Sequence, residues 1–160
     1  LDTESGNGAL MRLAPVVMVS TTPERAMELA VAQTIMTHGS PKAIEYSRVF
    51  AHELWHGDAL QRYRKYRLPL DIDREKVMSG GYVVETYQCA MWAFMTTNNF
   101  ADCIIKAVNR GYDSDTCGAV AGMIAGAHYG YKGIPKRFTE ELAWHDELRR
   151  AALKLHQLRR

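Results

Sequence analysis

The chain has 160 residues, of which 47% are hydrophobic and 24% charged, proportions that suit one folded domain with a filled core. Twenty Lys and Arg against 18 Asp and Glu leave a net charge of +2, which carries no strong nucleic-acid signal. No apolar run approaches the ~18 residues of a membrane helix, and 3 cysteines outside any CxxC pair argue against a disulfide framework and for a reducing compartment, the cytoplasm.

Residue 1 is Leu rather than Met, and no charged start followed by an apolar stretch marks a signal peptide, so the chain reads as a piece of a longer one. Ser5-Gly6-Asn7-Gly8, followed by Met11, Arg12 and Pro15, is a glycine-bearing loop entering a helix. Its backbone N–H groups suit phosphate or ribose oxygens, although a frayed terminal turn would look the same. Thr21-Thr22-Pro23-Glu24 forms a capping box that opens a helix through Ala26, Leu29, Ala30, Gln33 and Thr37, with Gly39 as its stop. Thr37-His38 falls at the end of that helix, where a His serves either as a ligand contact or as a partner of the helix dipole. Ser40-Pro41 starts a second helix whose inner face is expected at Ile44, Phe50, Ala51 and Leu54. Gly57-Asp58 then bends or breaks it before Leu60 to Tyr66.

Within the second helix, His52-Glu53-Leu54-Trp55-His56 matches the H-E-x-x-H pattern, in which two His share one zinc ion and the Glu acts as general base. The surroundings are poor for a zinc peptidase. Gly57 follows His56 directly, nothing singles out Glu75 or Glu85 as a third ligand, and no convincing strand exists to hold a peptide. A helix face carrying two His is the simpler reading.

After Pro69, Asp71, Asp73 and Ser79-Gly80-Gly81, the stretch from Tyr82 to about Thr97 is apolar nearly all round, as a buried central helix is. A short amphipathic helix, Phe100 to Asn109, ends at Gly111. From about Asp115 to Tyr129 comes a helix in which Gly118, Gly122 and Gly126 form one smooth stripe for close helix approach. Its entrance, Gly111-Tyr112-Asp113-Ser114-Asp115-Thr116, gathers two carboxylates and a hydroxyl within four residues. These are hard oxygen donors that favour Mg²⁺ or Mn²⁺, unless Asp113 or Asp115 merely caps the helix. The last element, Thr139 to Leu158, reads as one amphipathic helix with a basic, solvated outer face. The fold class is all-α, a helical bundle in one domain.

Four stretches, in order, resemble the ADP-ribosylglycohydrolase family, which includes the dinitrogenase reductase-activating glycohydrolases. They are Ser5-Gly6-Asn7-Gly8 with Met11-Arg12 and Pro15; Thr37-His38 before Pro41; Gly81-Tyr82-Val83-Val84-Glu85-Thr86 leading to Trp92-Ala93-Phe94; and Asp113-Ser114-Asp115-Thr116 running into Gly118-Ala119 and Ala121-Gly122. The acidic D-x-D-T entering a Gly/Ala helix is the most specific of them.

The resemblance implies an all-α fold that holds two Mg²⁺ or Mn²⁺ ions and hydrolyses the bond between ADP-ribose and a modified target. It assigns Asp113, Asp115 and Thr116 as metal ligands. Ser5, Gly6, Asn7, Gly8 and His38 become contacts of ADP-ribose, and Tyr82 lines the nucleoside end. It also implies that the chain corresponds to a C-terminal half, since family members are about twice as long and carry a second acidic cluster and the catalytic acid in an N-terminal half absent here. The expected partners are therefore ADP-ribose or an ADP-ribosylated target and the missing half or another copy of the chain. An inert helical assembly or ligand-binding module is the alternative outside enzyme chemistry.

Overall fold

The computed structural model describes residues 5–57 and 73–159, and every regular element among them is helical. The expected helix from Leu60 to Tyr66 and the loop with Pro69 and Asp71 lie outside the described residues. Two short helices, α1 (Gly8–Met11) and α2 (Ala14–Val19), lead into α3 (Pro23–Ile35) and α4 (Pro41–His56). The starts of α3 and α4 follow the same chemistry. The Thr22 hydroxyl accepts the Arg25 N–H at 3.1 Å and the Ser40 hydroxyl accepts that of Ala43 at 3.0 Å, with Pro at the first helical position of each. Helix α3 stops at Ile35, short of the expected Gly39, because the N–H groups of Thr37 and His38 both turn back to the Thr34 carbonyl, at 3.1 and 2.8 Å. Gly57, with φ of 60°, closes α4 in the left-handed region.

The inner face of α4 differs from expectation. Phe50 and Ala51 are buried, but so are Tyr46, Val49, His52 and Glu53, whereas Ile44 and Leu54 are only half-buried. Helix α4 packs against α3 on one side and against α5 (Val83–Met95) and α7 (Ser114–Tyr129) elsewhere, so more than one face is covered.

The core sits around α5. Its residues Val83, Tyr87, Cys89, Ala90, Met91 and Ala93 are inaccessible to solvent, as the all-round apolar pattern predicts. Against it lie α7 and then α6 (Phe100–Val108), which Asn99 caps by accepting the Asp102 N–H at 2.9 Å. The glycine stripe of α7 works unevenly. A Cβ on Gly118 would stand 2.8 Å from Val108 Cγ2, one on Gly122 would meet Ile104 Cδ1 at an ordinary 3.5 Å, and one on Gly126 would meet nothing within 4 Å. Close approach to α6 is therefore confined to the first glycine.

The expected single terminal helix is two. Helix α8 (Lys136–Glu140) and helix α9 (His145–Gln157) are separated by a reversal at Trp144, whose φ is 60°. Neither buries a residue. Without a core face to enforce continuity, the amphipathic pattern alone did not hold one helix together.

Candidate functional site

Three distant segments meet at the N-terminal end of α7. Residues 5–7 and 81–83 run side by side through two backbone hydrogen bonds, Asn7 N–H to Gly81 carbonyl and Val83 N–H to Ser5 carbonyl, both 2.9 Å, with Gly6 and Tyr82 in an isolated antiparallel bridge. The 110–113 turn joins them: the Asp113 N–H donates to the Ser79 carbonyl at 3.0 Å and the Ser79 hydroxyl donates to the Gly111 carbonyl at 3.2 Å.

Asn7 is the hub. Its buried amide donates to Thr86 Oγ1 at 2.9 Å and to Asp113 Oδ2, and Thr86 in turn donates to the Gly80 carbonyl at 3.1 Å. The Gly80 N–H donates to the Glu85 carboxylate at 3.1 Å. Asp113 occupies the cap position of α7, but its strongest partner is the Asn7 amide from a distant segment and not the helix's own N–H groups, so capping alone does not account for it. The Asn7 amide holds that carboxyl below its ordinary range; partial burial works the other way, and Thr116 and Asp115 add to the lowering. The result is a charged Asp113 with Asp115 and Thr116 gathered about it. Asp115 is exposed, and Thr116 is buried with its hydroxyl beside Met11 Sδ.

His38 lies against the amino-terminal loop. A Cβ on Gly6 would stand 2.9 Å from its Nε2 and one on Gly8 would stand 2.8 Å from its Cε1, so both positions require glycine for the ring to approach. Its Nδ1 pairs with the Thr37 hydroxyl at 2.7 Å, and Arg12 donates to that hydroxyl, to Gln33 Oε1 at 2.7 Å and to the Gln33 carbonyl at 2.9 Å. Ser5 is buried and its hydroxyl pairs with that of Ser40, which places it under the loop. Tyr82 is half-buried at the cap position of α5 and packs on the core. The residues that the family resemblance assigns thus fall in one neighbourhood, some as anchors and some at the surface. Thr86 and Ser79 complete the clasp without having been given a role in the sequence; a threonine buried in a mostly apolar helix was the available signal.

The H-E-x-x-H residues sit elsewhere. His52 and His56 have ring centroids 4.6 Å apart, but Glu53 is 1% exposed and accepts the Tyr87 hydroxyl proton at 2.7 Å. Burial pushes its carboxyl up to about 8, against the lowering effect of Tyr87. A neutral core acid is unsuited to serve as a base at a zinc ion. Among the described residues no group of three or more His, Cys, Asp and Glu is placed to hold a metal. That finding applies to the Asp113 cluster too, which supplies two carboxylates and one hydroxyl.

An apolar cavity of about 440 Å³ opens between α6, α7 and the C-terminal segment, lined by Phe100, Ile104, Phe138 and Leu148 among others, and contains none of the clasp residues.

A model of the ADP-ribosylglycohydrolase family matches residues 2–160. The chain is 30% identical over 169 residues to an ADP-ribosylarginine hydrolase of Pseudomonas putida, covering 94% of this chain and 46% of that protein. It is 32% identical over 151 residues to an ADP-ribosyl-dinitrogen reductase glycohydrolase of Rhodospirillum rubrum, covering 87% and 51%. A solved structure titled ADP-ribosylglycohydrolase-related protein complex matches with a TM-score of 0.86 and 32% identity, over 100% of this chain and 62% of that one. The chain spans about half the length of the two hydrolases it matches.

Proposed function

The chain belongs to the ADP-ribosylglycohydrolase family, and on that premise we propose that it binds ADP-ribose and hydrolyses an ADP-ribosyl N- or O-glycosidic bond on a modified target. The observation that carries this reading is the hydrogen bond from Asn7, in the amino-terminal glycine loop, to Asp113, in the oxygen-donor turn 106 residues later. It joins a loop suited to a phosphorylated sugar with a cluster suited to a hard cation.

Asp113, Asp115 and Thr116 fit Mg²⁺ or Mn²⁺ by the chemistry of the donor set: all three offer oxygen, and Asp113 is held in its charged form. Bound ions would supply Lewis-acid charge beside the sugar. Asn7 fixes the direction of the Asp113 carboxylate. His38 and the main chain of Gly6 and Gly8 form the wall against which the ligand's sugar and phosphates lie, and Tyr82 offers a half-buried ring toward the nucleoside. Ser5 supports that wall from beneath through Ser40.

Two hard cations need about twelve coordination positions. Three side chains leave most to water, ligand and further acidic residues, which we place in a segment beyond these 160 residues or in another copy of the chain, together with the catalytic acid. The same shortfall favours the second reading, a binding module without turnover. A compartment that keeps thiols reduced, the cytoplasm, fits Cys89, Cys103 and Cys117, which are all free and buried. No helix among the described residues is long and apolar enough to cross a membrane.

The test is release of ADP-ribose from an ADP-ribosylated protein, by this chain alone and by its full-length reading frame, with Mg²⁺ or Mn²⁺ present. Release by the longer protein that is lost in Asp113→Ala supports the hydrolase. Binding of ADP-ribose with no release from either supports the inert module, and failure to bind ADP-ribose overturns both.

A further inference from the structure

A second cleft, about 390 Å³ in volume, borders the turn that leads to Asp113. It is lined by Arg74, Trp92, Thr96, Lys106, Asn109 and Arg110. Trp92 is on the second half of α5 and Thr96 caps its C-terminal end; at 1.5 Å per residue, Trp92 is about 14 Å along the helix from the Val83 end, where the clasp sits. The cleft shares no lining side chain with the Asp113 cluster and adjoins it at Arg110, three residues before Asp113.

Among the described residues that line it, three of six are cationic and none is acidic, in a chain whose whole net charge is +2. The described carboxylates nearest these cations in sequence are engaged elsewhere or lie outside the lining. Asp73 faces Lys76 at 3.7 Å, Asp102 accepts the Asn99 amide at 2.7 Å, Asp113 accepts the Asn7 amide, and Glu75 is not part of the lining. Lys106 Nζ rests 4.6 Å from the Trp92 ring centroid, and Arg110 Nε donates to the Val77 carbonyl at 2.7 Å. Each contact leaves charged N–H donors over: those of the Lys106 ammonium directed away from the Trp92 face, and the terminal nitrogens of the Arg110 guanidinium. Lys106, in the last turn of α6, is accounted for in part by the carbonyls at that helix end. That explains one cation. Arg74 arrives from a different segment, so the convergence of three is in excess of what the helix requires.

We propose that this cleft is a binding site for a phosphate monoester. Two guanidinium forks and an ammonium from separate directions match a tetrahedral dianion, and the Asn109 amide adds a neutral donor, whereas the Thr96 hydroxyl is already spent on the Trp92 carbonyl. Trp92, 4% exposed, forms the floor of the cleft beneath the Lys106 ammonium, and the organic part of the ester projects outward. The ligand would have a second consequence. Arg110 is anchored to Val77, two residues before Ser79, and Ser79 holds both Gly111 and Asp113. A phosphate drawing on Arg110 thus bears on the backbone that carries the acidic cluster.

The experiment is titration of the purified 160-residue chain with phenyl phosphate and with inorganic phosphate at low salt, followed by calorimetry and by the Trp92 indole N–H resonance. Saturable binding that moves this resonance is expected. Arg74→Ala and Lys106→Gln should each weaken it about five- to tenfold, the loss of one charge-assisted hydrogen bond. Arg150→Ala, a charge-matched change on α9, should leave affinity within twofold of the parent. Lys106→Gln also removes the ammonium from the Trp92 face, so its unfolding midpoint is read alongside to separate lost binding from lost stability. The proposal is overturned if nothing saturates, if Arg150→Ala weakens binding as much as Lys106→Gln does, or if benzoate binds as tightly as phenyl phosphate.

Discussion

Asp113 and Glu53 show how differently one fold treats two carboxylic acids. Asp113 sits half-buried at the start of α7, where the Asn7 amide holds it charged. Glu53 sits in the core between α4 and α5, with one oxygen on the Tyr87 hydroxyl and the other, Oε2, without a hydrogen-bond partner, and burial holds it neutral well above the usual range. In the sequence both belong to patterns that suggest metal chemistry. What separates them is the balance of desolvation against specific hydrogen bonds, which the short motif does not encode.

The largest effect should come from Glu53. Its folded-state pKa of about 8 exceeds the unfolded value of 4.5, so between these pH values the folded chain holds a proton that the unfolded chain has lost. The stabilisation is fully present below pH 4.5 and disappears as pH rises through 8. The loss is on the order of 4–5 kcal/mol. Glu53→Gln removes that dependence: urea unfolding of the variant and the parent should coincide near pH 4.5 and diverge toward pH 8, with Gln the more stable. Parallel curves would mean that Glu53 ionises freely and that the contrast with Asp113 is false.

Next comes Asp113→Ala, expected to lower Mn²⁺ affinity by about 100-fold in calorimetric titration while leaving helix content unchanged by circular dichroism. Glu53→Gln should leave Mn²⁺ affinity untouched, which sharpens the division between the two acids. Asn7→Leu is smaller, about tenfold in Mn²⁺ affinity, because it removes the partner that orients a ligand rather than the ligand itself. The Asp113 carboxyl should then titrate at higher pH by NMR; no movement would show that Asn7 does not set its charge.

Legibility in the sequence followed the range of the interactions. The starts of α3 and α4 are local events, a hydroxyl and a Pro within four residues, and the sequence marks them plainly. Helix α5 declares itself by the absence of a polar face, and the ends of α6 and α7 were within a residue or so of expectation. The split between α8 and α9 was hidden because neither Gly nor Pro stands at Trp144. The Asn7–Asp113 bond was hidden for a different reason: it joins residues 106 apart, and no periodicity speaks of such a pair. Resemblance to a family brought those residues together on paper, but it gave no hint that Ser5 would be buried or that Thr86 would share the Asn7 amide.

The smallest effect concerns the turn that delivers Asp113. Gly111 and Tyr112 both have positive φ, 85° and 53°, and only the first is a residue that adopts it without steric cost. Tyr112 is 87% exposed, so its ring contributes little packing to offset the crowding of its Cβ. In the left-handed region an ordinary side chain costs roughly 1–2 kcal/mol relative to glycine, and the greater freedom of glycine in the unfolded chain cancels part of that gain. Tyr112→Gly should therefore raise stability by about 0.5–1 kcal/mol in urea unfolding. Tyr112→Ala, which keeps the Cβ and removes the ring, should not. If both variants behave alike, the ring rather than the backbone governs this turn, and Tyr112 is supported by contacts of its own.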